Sequence, residues 1–217
     1  MNPDRPSSVP PEEREREYVM AIPTEQVEFS GFRMHGDQGD EIDLMNSFDG
    51  AEYRDRTVVE QDTSMKQPIS YGVILDSASR RFFVYKRAKK GTEGRLEGLL
   101  SIGLGGHVEK GSDDTSTNPI VHSLLREVSE EVDIEGKVTP KLVGYVNEDE
   151  SNVGKHHIGV VFTIKGENVE AVIKEEKLKQ GRMVSIDDLE DILASEGGTL
   201  EPWSRILFEE IKQGNFS

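Results

Sequence analysis

Arg126-Glu127-Val128-Ser129-Glu130-Glu131-Val132-Asp133-Ile134, with Gly103-Leu104-Gly105-Gly106-His107-Val108-Glu109-Lys110-Gly111 upstream of it, decides the fold class of this chain. On a helix with Arg126 at 0°, Glu127 falls at ~100°, Glu130 at ~40° and Glu131 at ~140°. Val121, Leu125, Val128 and Val132 fall between roughly 200° and 260°, so the apolar stripe is expected on a different face from the carboxylates. Like charges at i,i+3 and i,i+4 destabilise a helix by about 0.2–0.5 kcal/mol per pair. A divalent metal would reverse that sign, since Mg²⁺ takes a few carboxylates together with waters and phosphate oxygens. For an E-x-x-E-E run alone, a solvated acidic face is the plainer explanation. The glycine turn upstream shifts the balance toward a metal site.

Together, Gly105-Gly106-His107-Val108-Glu109-Lys110-Gly111 and Arg126-Glu127-Val128-Ser129-Glu130-Glu131 resemble the Nudix box of the Nudix hydrolases, G-x5-E-x7-R-E-U-x-E-E-x-G-U with U aliphatic. With Gly106 as the first glycine, the turn and the whole R-E-U-x-E-E core are kept. The family's first glutamate falls on Ser112, thirteen residues rather than seven separate Ser112 from Arg126, and the late glycine is Asp133. The extra residues lie within Asp113-Asp114-Thr115-Ser116-Thr117-Asn118-Pro119, read as a loop. In the family that glutamate supports the loop and the arginine; Asp113 or Asp114 could substitute, and the sequence does not choose between them. The chain is also similar to a group of Nudix-family phosphoesterases without a known substrate, sharing Lys66-Gln67-Pro68-Ile69 and Ser101-Ile102-Gly103-Leu104-Gly105-Gly106-His107. The resemblance implies an α/β (α+β) fold, a Nudix-like α/β/α sandwich with a mixed β-sheet. It covers a Nudix domain (68–217) and leaves an N-terminal extension (17–67), while residues 1–16, rich in Pro, Ser and charge, are expected to form a disordered tail.

The same resemblance implies hydrolysis of a diphosphate linkage in a nucleoside diphosphate joined to another group, by water attack on phosphorus with Mg²⁺ or Mn²⁺. The implied metal ligands are Glu127, Glu130, Glu131 and a backbone carbonyl at Gly106 or its neighbour Gly105. Glu127 is either a ligand or a base for water. Catalytic roles fall on Glu127, Glu130 and Arg126, with Arg126 expected to orient Glu130 through an i,i+4 ion pair. The general base is expected on a later loop, with Glu148, Asp149, Glu150, Glu175 and Glu176 as candidates, each of which has a solvated loop charge as its plainer explanation. His107 is expected to be satisfied by hydrogen bonds rather than to ligate metal. At most one of His156 and His157 can line a pocket, because neighbouring strand residues face opposite ways. The rival reading is a catalytically weak Nudix-like module that binds or senses a nucleotide, and a non-nucleotide phosphoester is a third.

The 217 residues carry 26 basic and 42 acidic side chains, a formal charge of −16. That charge argues against nucleic acid or an anionic membrane as a partner; the small nucleotide-like diphosphate is the partner the resemblance implies, and an anionic substrate would need local help from metal or basic side chains. A locally basic run, Arg80, Arg81, Lys86, Arg87, Lys89, Lys90 and Arg95, could attract phosphate or could be the charged face of a hairpin. The absence of cysteine excludes disulfides and thiolate chemistry, and disfavours the isoprenoid isomerases of this fold, which rely on a cysteine. Without a signal-like or spanning apolar run, a soluble cytoplasmic protein is expected, and the resemblance adds a homodimer.

Strands are expected at Tyr18–Ile22, Tyr71–Leu75, Arg81–Lys86 after an Asp76–Ser79 turn, Leu99–Ile102, Val138–Val146, His157–Ile164 and Arg182–Ser185. The acidic helix is expected to start at a Thr117 or Asn118 cap with Pro119 in its first turn. Two further helices are expected, from Ile186 or Asp187 to Ala194 and from Thr199 or Leu200 onward, with Trp203 in the core. The segment Met34–Met65 yields no assignment.

Overall fold

The computed structural model describes residues 16–36, 51–88, 96–114, 118–195 and 197–216; the expected tail, apart from Arg16, lies outside them. The central strand is β4 (Met65–Asp76), parallel to β9 (His157–Gly166) from Gln67 opposite His157 to Asp76 opposite Gly166. On its other side β4 turns into the antiparallel β5 (Arg81–Arg87), where the Asp76 carboxylate accepts from the Ser79 backbone N–H at 3.1 Å. The sheet is mixed, in the order β11 (Leu178–Val184), β5, β4, β9, β8 (Val138–Asn147), β2 (Gly31–Met34). β1 (Tyr18–Pro23) joins it through Met65 and Lys66 and carries β3 (Glu52–Asp55) on its free edge. β6 (Leu100–Ser101) pairs with β5, while β7 (Val132–Glu135) and β10 (Glu170–Ile173) form a separate ribbon.

Side-chain alternation along the strands builds two cores. Ile74, Phe83, Tyr85, Val160 and Phe162 meet Ile120, Leu124 and Val128 of α2 (Pro119–Glu131). Tyr71, Val73, Phe82, Val84 and Val161 meet Leu189 of α3 (Ile186–Ser195) and Trp203, Leu207 and Phe208 of α4 (Pro202–Lys212). Both faces of the sheet are covered, so the central strands read as continuous apolar runs instead of alternating ones. This is the expected α/β/α sandwich. Among the described residues, no helix is long and apolar enough to cross a membrane.

Asn118 caps α2 by accepting the Val121 N–H at 3.1 Å, and Pro119 opens the helix, as its missing N–H allows. The expected apolar stripe of α2 holds at Val128 and Val132, with Val121 packed against the core, and is corrected at Leu125, which is 51% exposed; Ile120 and Leu124 join the core instead. Ile120 and Leu124 stand at ~120° and ~160° from Arg126, on the side that also carries Glu127 and Glu131. The helix therefore turns two of its carboxylates inward, Glu127 against the glycine turn and Glu131 toward Lys177. It ends without a loop, because Val132 is already extended and begins β7.

The unassigned segment contributes β3 and a single turn, α1 (Arg56–Val59), capped by Asp55, whose carboxylate accepts the Thr57 N–H at 3.0 Å. Residues 37–50 lie outside the described ones. β1 does more than extend the sheet. Met20 donates its N–H to Val108 O at 2.8 Å and Lys110 donates to Tyr18 O at 2.9 Å, so this strand backs the glycine turn.

Candidate active site

The glycine turn lies across β4, with reciprocal bonds between Gly72 and Leu104 (2.7 and 2.9 Å) and a bond from Ser70 N–H to Gly106 O (3.0 Å). Gly105 adopts φ +151°, and a Cβ there would run into the Ser70 carbonyl. A Cβ on Gly106 would overlap the Glu127 carboxylate instead. The two glycines thus serve different contacts, Gly105 the close approach of two backbones and Gly106 the seat of Glu127.

Arg126 is clamped in this turn. Its Nη2 donates to Asp113 Oδ2 at 3.0 Å and to His107 O at 3.1 Å, its Nε to Asp113 Oδ1 at 3.2 Å, and its Nη1 to Glu127 Oε1 at 2.8 Å. The contact with Glu130 is looser, 3.8 Å, so the strongest bonds of Arg126 go to Asp113 and Glu127 rather than to Glu130. Asp113 is fully buried and also accepts from Glu109 N–H at 2.8 Å, with His122 Nδ1 at 3.0 Å. Burial works to raise the Asp113 pKa, but hydrogen bonds from Arg126, His122 and Glu109 hold it below the ordinary value. The support expected of the family's first glutamate therefore comes from Asp113, one residue past the exposed Ser112. A buried position with four donors cannot be told from an exposed loop position by spacing alone.

Glu127, Glu130 and Glu131 line one cavity of about 380 Å³ with Gly105, Gly106, His107, Arg56, Arg87, Lys177 and Trp203. Burial raises the Glu127 pKa, against the opposing pull of Arg126. Burial raises that of Glu131 to about 7, with Lys177, 3.2 Å from its Oε1, offsetting part of the effect. Glu131 Oε2 is buried and meets no donor among the described residues. Glu131 pairs with Lys177 and Glu127 with Arg126, and among the described residues no three such side chains are gathered into a metal cage. The donor set is nonetheless all oxygen, with one buried oxygen unpartnered, which fits a hard cation. Of the two glycine carbonyls, that of Gly106 accepts from Ser70 N–H and, at 3.3 Å, from Ser70 Oγ. Gly105 O accepts no hydrogen bond among the described residues.

His107 and His157 also line the cavity, their Nε2 atoms 3.2 Å apart. His157 Nδ1 lies 2.7 Å from Val153 O, which can only accept, so a single proton lies between the two Nε2 atoms. Burial, then the charge of Arg56, hold the His107 pKa well below its ordinary value. Of the neighbouring pair His156 and His157, only His157 reaches the cavity.

Among the proposed bases, Glu148 alone lines the cavity. Its carboxylate closes the turn that follows, accepting from Glu150 N–H at 3.1 Å, from Ser151 N–H at 3.0 Å and from Ser151 Oγ. Asp149 pairs with Lys66 and Glu175 with Lys177. Lys66 is fully buried and donates to Asp149 Oδ1 (2.7 Å), Gly154 O (2.6 Å) and His157 O (3.2 Å), tying this loop to β4. From the basic run, Arg87 is the residue that reaches the cavity among those described; Lys89, Lys90 and Arg95 lie outside them. Arg56, Lys177 and Glu201 entered no sequence argument as site residues. They sit on distant segments in loops and short elements with no periodic signal.

No protein-family model matches the chain. Protein YmaB of Bacillus subtilis (strain 168) is 34% identical over 169 residues, which span 73% of this chain and 78% of that protein. The crystal structure of Tm1382, provisionally assigned as a Nudix hydrolase, superposes with a TM-score of 0.70 at 28% identity, covering 91% of this chain and 99% of that one. A bifunctional NMN adenylyltransferase/ADP ribose pyrophosphatase from Francisella tularensis shares the fold alone, with a TM-score of 0.50 at 15% identity over 69% of this chain and 41% of its own. Kinship in sequence over most of two chains, joined to a superposition over nearly the whole of a third, places the cavity in a known lineage: the chain belongs to the Nudix hydrolase superfamily.

Proposed function

We propose that this chain is a metal-dependent pyrophosphohydrolase that cleaves a diphosphate linkage in a nucleoside diphosphate joined to another group. The observation that carries the reading is the unpartnered, buried Oε2 of Glu131, in one cavity with Glu127 and Glu130. Glu127, Glu130 and Glu131, with the carbonyl of Gly105, would hold Mg²⁺ or Mn²⁺. Such an ion, when bound, neutralises the diphosphate and lowers the pKa of the attacking water. Arg126, fixed by Asp113 and His107 O, keeps the Glu127 carboxylate seated on Gly106. Lys177, 3.2 Å from Glu131 Oε1, balances the charge of that carboxylate and lines the cavity in which substrate phosphate would lie. Glu148 holds the loop beside the cavity in shape; its three accepted hydrogen bonds suit a structural carboxylate better than a proton acceptor.

The test is turnover of ADP-ribose, diadenosine polyphosphates, NADH, nucleotide sugars and nucleoside triphosphates in Mg²⁺ or Mn²⁺, by wild type and by Glu130→Gln/Glu131→Gln. Metal-dependent cleavage by wild type and its loss in the double variant are expected. Full Mg²⁺-dependent activity in the double variant would refute the ligand assignment, and tight binding of one compound with no cleavage under either metal would favour a sensor.

A further inference from the structure

Glu201 is a carboxylate in an apolar place. It stands at the start of α4 with 3% of its surface exposed, in the core between that helix and the sheet. Its Oε1 accepts from Tyr71 Oη and Ser101 Oγ, both at 2.8 Å, and from Ser204 Oγ at 3.2 Å; its Oε2 accepts from Arg87 Nε at 2.6 Å. A buried ion pair of this kind is weak evidence for stability, since well-packed apolar residues of equal volume often do as well. Its presence calls for a use of one of its partners, and Arg87 is the partner that faces the cavity.

Arg87 is held at every point except its tip. Its backbone is paired on both sides, N–H to Leu99 O at 3.0 Å, O from Gly98 N–H at 3.0 Å, and in register with Leu178 of β11. Glu201 fixes Nε, and the guanidinium lies 5.8 Å from the centre of the Tyr85 ring. Among the described residues, neither Nη group makes a hydrogen bond. Arg87 lines the same cavity as Glu127, Glu130 and Glu131. A planar fork fixed on one edge, with its other nitrogens unpartnered among the described residues and in one cavity with the proposed cation ligands, matches the oxygens of a phosphoryl group that the cation would not reach.

The geometry points to Arg87 as the phosphoryl-binding residue of this site, with Glu201 as the positioning residue that aims it. The ligand class is a phosphoryl group of a diphosphate, and the assignment rests on the pyrophosphohydrolase reading above. A pair that served only to staple α4 to the sheet would give the same hydrogen bonds but no effect on ligand affinity, and this separates the two.

The experiment is calorimetric titration of the full chain in Mg²⁺ with methylenediphosphonate, whose P–C–P bridge cannot be hydrolysed, alongside the melting temperature of each variant. Arg87→Ala should weaken binding at least about tenfold, the effect of losing one charge-assisted contact. Arg87→Lys keeps the charge opposite Glu201 and safeguards folding, yet should restore only part of the affinity, because an ammonium lacks the fork. Glu201→Gln should weaken binding with Arg87 present, whereas Lys86→Ala, one residue away and exposed, should bind as wild type does. Wild-type affinity in both Arg87 variants would overturn the proposal. Cleavage of the substrate panel is read separately. If wild type cleaves but binding ignores Arg87, the subsite falls and the hydrolase stands; if binding needs Arg87 but nothing is cleaved, the subsite stands and the hydrolase falls.

Discussion

Asp113 carries Arg126: two guanidinium nitrogens reach its two oxygens at 3.0 and 3.2 Å, and the carboxylate is wholly buried. Removing one member of a buried, hydrogen-bonded pair leaves the other charge uncompensated, at a cost of about 3–5 kcal/mol. Arg126 keeps Glu127 as a second partner, so Asp113→Ala should cost about 3 kcal/mol, at the low end of that range. Ser112→Ala, at the exposed position to which the family spacing points, should stay within about 0.5 kcal/mol of wild type. Urea midpoints of the two variants check this, and equal midpoints would remove Asp113 from the role.

The two glycines should separate fold from site. Gly105→Ala forces a Cβ against the Ser70 carbonyl at a positive φ, and neither backbone can yield, so a loss of about 3 kcal/mol or more is expected. Gly106→Ala meets a side chain instead and should displace Glu127, lowering metal-dependent turnover by more than its melting temperature suggests. Circular dichroism melts and turnover, measured on both, decide it.

Lys66 bridges β4 to the Glu148 loop through three acceptors while fully buried. Lys66→Met keeps much of the volume but removes a buried donor from the Gly154 and His157 carbonyls, at roughly 1–3 kcal/mol in all, since Gly154 O keeps the His157 N–H. Amide exchange should quicken across 148–157 first, and protection unchanged there would show that the lysine does not anchor the loop.

Stability should depend on pH through Glu131. Burial raises its carboxyl from the ordinary value of 4.5 to about 7, so between these values the folded protein holds a proton that the unfolded chain has released. Metal-free stability must then fall as pH rises through that window. Carboxylates with lowered pKa, such as Asp113 and Glu201, act in the opposite sense at lower pH, where their stabilisation is lost on acidification. In EDTA, Glu131→Gln should flatten the decline of melting temperature between about pH 5 and pH 7.5. With Mg²⁺ added, affinity should rise through the same interval, because the ligand binds as the carboxylate. An unchanged slope in the variant would assign the decline to another group.

Much of the sandwich was legible because period and burial agree. The runs Tyr71–Leu75 and His157–Ile164 are apolar at every position or nearly so, since both faces of the sheet are covered, and they became β4 and β9. The cap Asn118 and the break at Pro119 marked the start of α2 by local hydrogen bonding alone. The apolar stripe of that helix was right at Val121, Val128 and Val132 and wrong at Leu125. The glycine turn seats Glu127 and Lys177 pairs with Glu131, so both carboxylates face inward, while Leu125 is left outside.

The sequence by itself determined the carboxylate helix and the main strands of the sheet, because these follow from local periodicity and capping, and the family resemblance set the glycine turn against that helix. Only the tertiary structure decided which residues serve the site from afar. Asp113 beneath Arg126, Lys177 on Glu131, and Glu201 behind Arg87 are joined across 13, 46 and 114 positions of chain. Their worth lies in burial and in the donors they meet, and neither exists until the chain has folded.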